Sequence, residues 1–183
     1  AGMFASAPEP FDPMEKAFHA LAKDHARVSP EPTRPAATLV RTYPLRRDCL
    51  AMSQVWKGGI DHEPFDISAK GAPEAIADLC RLDAKMRSTV KQAVDEMATA
   101  GLRVLGVARA SFAGKSLPET QQGFDFSFVG LVGLSDPLRD SVPAAIRECR
   151  TAGIRVVMIT GDYPATAQAV ALAAGLKSDH VIS

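Results

Sequence analysis

With 183 residues, and twenty-one basic side chains against twenty-one acidic ones, the chain suits one or two domains. It has no net field to draw it to nucleic acid or an anionic membrane. No apolar run approaches the ~20 residues that span a bilayer, and no secretory signal is visible, so the chain reads as soluble. The three cysteines, Cys49, Cys80 and Cys149, are odd in number and lack metal-ligand spacing, as expected for reduced thiols of a cytosolic protein.

Ala1 to Pro10 is small, contains proline and has no pattern. A helix is predicted from Asp12, with Pro13 at its first position and Glu15 placed to complete a capping box. Met14, Ala17, Phe18, Leu21 and Ala22 form its apolar face. The Pro-rich run at 29–35 reads as a loop. Three strand-like stretches come next, around 37–43, 49–57 and 64–70, divided by Pro44 and Gly58-Gly59, and they predict an antiparallel sheet. Pro73 opens a short helix. A longer one runs from about Asp83 to Ala100, with Met86, Val90, Ala93, Val94 and Met97 as its buried stripe, and Gly101 ends it. Leu102 to Ser111 reads as a strand and Phe112 to Phe124 as a surface loop. In that loop Gly114-Lys115-Ser116 imitates the end of a phosphate loop. Arg109 stands where that motif needs its first glycine and Pro118 spoils the helix that should come after it, so the match is rejected.

From about residue 126 the pattern becomes strand, helix, strand, helix, strand, and a domain boundary is placed there, giving domains 1–125 and 126–183. The apolar run Gly130–Leu134 ends at Asp136, and Ile154–Ile159 ends at Thr160-Gly161-Asp162. Apolar runs alternating with helices read as parallel βαβ units, whose ligands sit beyond the carboxyl ends of the strands. Asp136 and Asp162 are then expected at one rim, where carboxylates hold Mg²⁺ and organise phosphate chemistry. Either one alone reads equally well as a helix cap.

The strings Asp136-Pro-Leu-Arg139, Ala145-Ile146, Cys149, Ala152-Gly-Ile154 and Met158-Ile-Thr-Gly-Asp162 resemble the phosphorylation domain of P-type ATPases. Upstream, Lys70-Gly-Ala-Pro-Glu74 resembles the KGAPE signature of their nucleotide-binding domain. The two signatures stand in the family's order, and the likeness covers nearly the whole chain. The resemblance implies an α+β nucleotide-binding domain, an antiparallel sheet flanked by helices, followed by a partial α/β haloacid-dehalogenase-like (Rossmann-like) domain.

It also implies roles. Lys70 lines the adenine pocket, with Gly71 permitting close approach of the ligand; as a strand-end lysine, Lys70 is expected to add little to stability. Glu15 contacts the base, alongside its capping role. Tyr43 is the candidate to stack on adenine, although a strand tyrosine is equally ordinary sheet packing. Arg46 or Arg47 stands in for a lysine that the family carries nearby. Arg103 lies near the phosphates, and Asp136 and Arg139 at the nucleotide rim. Thr160 and Gly161 bind the transferring phosphoryl group, and Asp162 positions the ribose.

The family's DKTGT nucleophile and its GDGxND magnesium motif do not occur in the sequence. The expectation is therefore a fragment of a pump that binds ATP or ADP without turnover, since covalent catalysis needs its nucleophile. Most Mg²⁺ ligands then lie outside the chain. The parent is expected to be an ATP-driven cation transporter of the calcium or magnesium type, with this part at the cytoplasmic face of a membrane. Its partners are the remaining phosphorylation, actuator and transmembrane domains. Without the DKTGT strand, sheet edges at Val129–Leu134 and Val156–Ile159 are expected to be loose or to form a dimer. The rival readings are a free-standing nucleotide sensor or scaffold, and a haloacid-dehalogenase-type phosphatase.

Overall fold

The computed structural model describes residues 1–28, 37–58 and 64–176, with side chains of the first helix described as far as residue 24. The Pro-rich loop expected at 29–35 and the last expected strand, beyond residue 176, lie outside them. A short 3-10 turn, Met3–Ala5, is followed by α1, Pro13–Val28. The Asp12 carboxylate caps α1, accepting from the Met14 and Glu15 amides at 2.8 and 3.4 Å. The strands β1 (Thr38–Tyr43), β2 (Ala51–Lys57) and β3 (Phe65–Gly71) come next, then α2 (Pro73–Leu79), α3 (Ala84–Thr99) and β4 (Arg103–Phe112). Asp83 caps α3 through the Met86 amide at 2.7 Å. A second 3-10 turn, Gln121–Gly123, precedes β5 (Ser127–Leu134), α4 (Val142–Thr151) and α5 (Pro164–Ala174).

The five strands lie in the order β1-β2-β3-β4-β5, and the pairings from β1 to β4 are antiparallel. Register fixes what each face carries, because successive side chains point to opposite sides. On one face Tyr43, Ser53, Ala69 and Ala108 stand abreast, with Val55, Ile67 and Ala110 in the next row. Ile76 and Leu79 of α2 pack on them, together with Phe124 and Phe126, to form the main core. On the other face Met52, Lys70 and Val107 stand abreast, beside Gln54, Ser68 and Arg109.

Two expectations are corrected. The segment Phe112–Phe124 is not simply a surface loop. Gln121 and Phe124 are buried, and Phe124 sits edge-on to Tyr43, Phe112 and Phe126. The Gln121 amide donates to the Ala51 carbonyl at 2.8 Å, and its side-chain oxygen accepts from Ser53. Polar punctuation marks the segment as a loop, but its aromatic rings are what fill the core. The second correction concerns Ile154–Ile159, which forms no strand. Ile159 is 94% exposed, and Ile154 and Val157 are also open. An apolar run becomes a strand only beside a partner with free N–H and C=O groups. β5, expected to open a parallel sheet, instead lies next to β4.

The chain forms two compact units. One comprises Ala1–Ser88 with Leu105–Val132, and the other Thr89–Val104 with Gly133–Ser183. In the second, Val90, Val94 and Ala98 of α3 and Ala167, Ala171 and Ala174 of α5 are buried. The Thr166 hydroxyl donates to the Leu102 carbonyl at 3.0 Å. The three cysteines are free thiols, and burial pushes Cys80 up to about 11, so it stays protonated at neutral pH.

Gly71 ties two strands closely together. A Cβ there would lie 2.5 Å from the Ala51 Cα and closer still to the Leu50 carbonyl oxygen. The space that the missing side chain leaves is thus taken by the Leu50–Ala51 backbone. Gly71→Ala should lower stability by about 1–3 kcal/mol in urea unfolding; an unchanged midpoint would show that the strands separate without cost.

Candidate functional site

The face of β3 that carries Lys70 is polar and yet covered. Asp66, Ser68 and Lys70 are buried, as are Gln54 and Trp56 on β2. A charge removed from water needs a partner of opposite sign and full hydrogen bonding. The Lys70 ammonium has both. It donates to the Glu15 carboxylate at 2.8 Å and to the Ser6 hydroxyl at 2.8 Å, and it lies 5.4 Å over the Phe18 ring. The side chains of Lys70 and Glu15 are 6% and 17% exposed. The capped start of α1 puts Glu15 and Phe18 on one helical face three residues apart, both turned to the sheet.

The chain ahead of α1 completes the enclosure. The Trp56 indole N–H donates to the Phe4 carbonyl at 2.7 Å, and the Phe4 ring meets the indole edge-on. With its amide nitrogen turned to the two carbonyls, Gln54 donates to Ser6 at 2.8 Å and to Phe4 at 3.0 Å. The Ser6 hydroxyl donates to the Gly2 carbonyl, and the Ala7 amide donates to Glu15 at 3.3 Å. Sequence reasoning missed Ser6, Phe4, Gln54 and Trp56. β3 alternates apolar and polar residues and so reads as having one wet face; the available signal lay in β2 alone, where Met52 and Trp56 add apolar bulk to the Lys70 face.

Structure and expectation differ at several of the named residues. Lys70 is not a solvated strand-end lysine: it is enclosed and paired, and its removal leaves Glu15 short of a counter-charge. Tyr43 stands abreast of Ser53 while Lys70 stands abreast of Met52, so the two occupy opposite faces. The Tyr43 ring is buried in the core, its hydroxyl donates to the Pro118 carbonyl at 2.6 Å, and the Arg41 guanidinium lies 4.6 Å over the ring. Burial raises its pKa, with Arg41 opposing. A ring enclosed in this way offers no free surface for a base. Arg46 pairs with Asp48 at 2.9 Å, and its hydrogen bond holds that carboxyl below the usual range.

In the second unit, Thr160, Gly161 and Asp162 form the turn that leads into α5. The Thr160 hydroxyl accepts from the Asp162 amide at 3.1 Å, and Arg103 approaches the Asp162 carboxylate at 3.4 Å. No side chain caps α5, so its first N–H groups are free of that competition. At the amino end of α5 the Arg103 guanidinium and the Thr160 hydroxyl both face Asp162. Asp136 and Arg139 lie in the exposed segment before α4, outside any strand. Among the described residues no three His, Cys, Asp or Glu side chains gather as metal ligands.

A family model described as "P-type ATPase, cytoplasmic domain N" matches residues 12–141. The chain therefore belongs to the P-type ATPase family and carries its cytoplasmic N domain. It is 34% identical over 152 residues to the sodium/potassium-transporting ATPase subunit alpha-1 of Catostomus commersonii, covering 71% of this chain and 14% of that protein. It is 40% identical over 134 residues to subunit alpha-3 of Rattus norvegicus, covering 60% and 13%. The chain thus spans about one-seventh of the length of these relatives. No helix among the described residues is long and apolar enough to cross a membrane.

The buried pair predicts strong coupling. Lys70→Met leaves a largely enclosed carboxylate and should cost about 3 kcal/mol. Adding Glu15→Gln should recover part of that loss, giving a coupling energy of about 1–3 kcal/mol in a double-mutant cycle read by urea unfolding. Two losses that simply add would mean that the pair does not form.

Proposed function

We propose that this chain is the nucleotide-binding module of an ATP-driven cation pump, and that by itself it binds ATP or ADP without hydrolysing it. The observation that carries this reading is the domain N match over 12–141, with the KGAPE lysine, Lys70, fixed by Glu15 from α1. In this reading Lys70 and Glu15 serve the base end of the nucleotide. In the second unit, taken by itself, Arg103, Thr160 and Gly161 are assigned to phosphate oxygens, through guanidinium, hydroxyl and backbone N–H, as charge-dispersing groups do in phosphoryl transfer. Asp162 orients Arg103 and meets the ribose, and Asp136 and Arg139 stand at the nucleotide rim. Mg²⁺, when bound, would offset phosphate charge through ligands that lie mostly outside this chain.

We assign residues 1–125 to the nucleotide domain and 126–183 to the first part of a haloacid-dehalogenase-like phosphorylation domain. The exposed apolar run Ile154–Ile159 supports this, since it has the composition of a strand and lacks a strand neighbour among the described residues. A second copy of the chain would satisfy the same edge as a dimer. In the pump the neighbours are the rest of the phosphorylation domain, the actuator and the transmembrane domains, at the cytoplasmic face of a membrane. The absence of a DKTGT string from the sequence supports binding without turnover. The Asp-Pro-Leu-Arg and KGAPE forms support a parent of the calcium or magnesium type.

ATP titrated into the labelled protein should shift the resonances of Glu15 and Lys70, with a Kd on the order of 0.1–1 mM, equivalent to about 4–5.5 kcal/mol. No phosphate should be released. Spectra unchanged at a tenfold excess over that range would refute nucleotide binding, and steady phosphate release lost on mutating this chain's own acids would refute the inert-module reading.

A further inference from the structure

On the Lys70 face the donors of Lys70, Gln54 and Trp56 are already engaged. Lysine has three N–H groups, a glutamine amide two and an indole one. Lys70 directs its ammonium to Ser6, Glu15 and the Phe18 ring. Gln54 gives its amide to the carbonyls of Phe4 and Ser6, and Trp56 gives its N–H to Phe4. Most of these acceptors belong to residues 4–6. Ala5 and Ser6 are buried beneath them, and Gly2 fits against the Phe18 ring, where a Cβ would come within 2.5 Å of ring carbons. The segment makes these contacts without adding a strand to the sheet. It then reaches Asp12 through Pro8, Glu9, Pro10 and Phe11, of which Pro8, Glu9 and Phe11 are exposed.

We propose that residues 1–7 are a strap that occupies the Lys70 face when no nucleotide is bound, and that ATP or ADP reaches Lys70 only by displacing it. The inference rests on the nucleotide-binding reading and adds a gate to it. The exchange is balanced chemically: acceptors on the base take over the donors that Phe4 and Ser6 now occupy, and the desolvated ammonium is never left without company. Because only the open fraction binds, the measured Kd equals the intrinsic one divided by that fraction. Weakening the strap should therefore tighten nucleotide binding. If Ser6 and Phe4 were instead walls of the site, the same change would weaken it.

The test uses the full chain, whose one tryptophan, Trp56, touches the strap directly. ATP and ADP are titrated while Trp56 emission is monitored, and hydrogen exchange is measured at Ala5, Ser6 and Ala7. Ser6→Ala and Phe4→Ala are titrated beside the parent sequence, with circular dichroism to verify folding. A strap predicts a red shift of Trp56 emission, faster exchange at residues 5–7 in saturating nucleotide, and about three- to tenfold tighter binding by either folded variant. Binding that leaves Trp56 and residues 5–7 unchanged, or variants that bind equally or more weakly, would overturn the strap and keep the nucleotide site. No binding by the parent sequence or by either variant would overturn the nucleotide reading, and the strap with it.

Discussion

An ammonium group inside a protein must find a counter-charge and hydrogen-bond acceptors, or its burial costs several kcal/mol. In this chain that demand falls on Lys70, near the end of the third strand. Much of the first unit can be understood as the answer to it. The Asp12 cap fixes where α1 begins, and so places Glu15 and Phe18 one turn in, facing the sheet. The Met3–Ala5 turn brings the Ser6 hydroxyl to the same nitrogen. Gln54 and Trp56, from the neighbouring strand, hold that turn by its carbonyls. The ion pair itself adds little net stability, because desolvation offsets most of the attraction. The placement of α1 and of the leading segment is the one in which the Lys70 charge meets Glu15 and Ser6.

The elements with strong local signals are legible in the sequence. Asp12 and Asp83 announce two helix starts, Gly101 a helix end, and three short apolar stretches an antiparallel sheet. The choice of face is harder to read, because it depends on register between strands, which no single strand encodes. Sequence alone therefore groups Tyr43 with Lys70, while the sheet separates them. The leading segment escapes notice because small residues and prolines carry no periodic signal. Its contacts are mostly backbone carbonyls accepting from distant side chains, which leave no mark on its own sequence. The loop at 112–124 misleads for a related reason: glycine and proline advertise its turns, while its phenylalanines and Gln121 find places in the core.

The Ile154–Ile159 run marks a different limit. Its composition is that of a buried strand, yet four of its large side chains face solvent. A strand is a property of a ladder, and apolar composition cannot supply the missing N–H and C=O partners. The same unit still builds local structure where the interactions are local, in the Thr160–Asp162 turn, the Arg103–Asp162 pair and the packing of α5. Pattern and structure therefore part company at the point where long-range pairing is required.

The account depends on Lys70 carrying its charge in an enclosed, hydrogen-bonded place. Nitrogen-detected NMR of lysine side chains addresses this directly. A buried, paired ammonium exchanges its protons slowly enough to give a resolved signal near neutral pH, whereas solvated lysines exchange too fast. The account predicts one such signal that disappears in Lys70→Met and moves in Glu15→Gln. A Lys70 ammonium that cannot be told from the surface lysines, or a signal indifferent to Glu15, would contradict it.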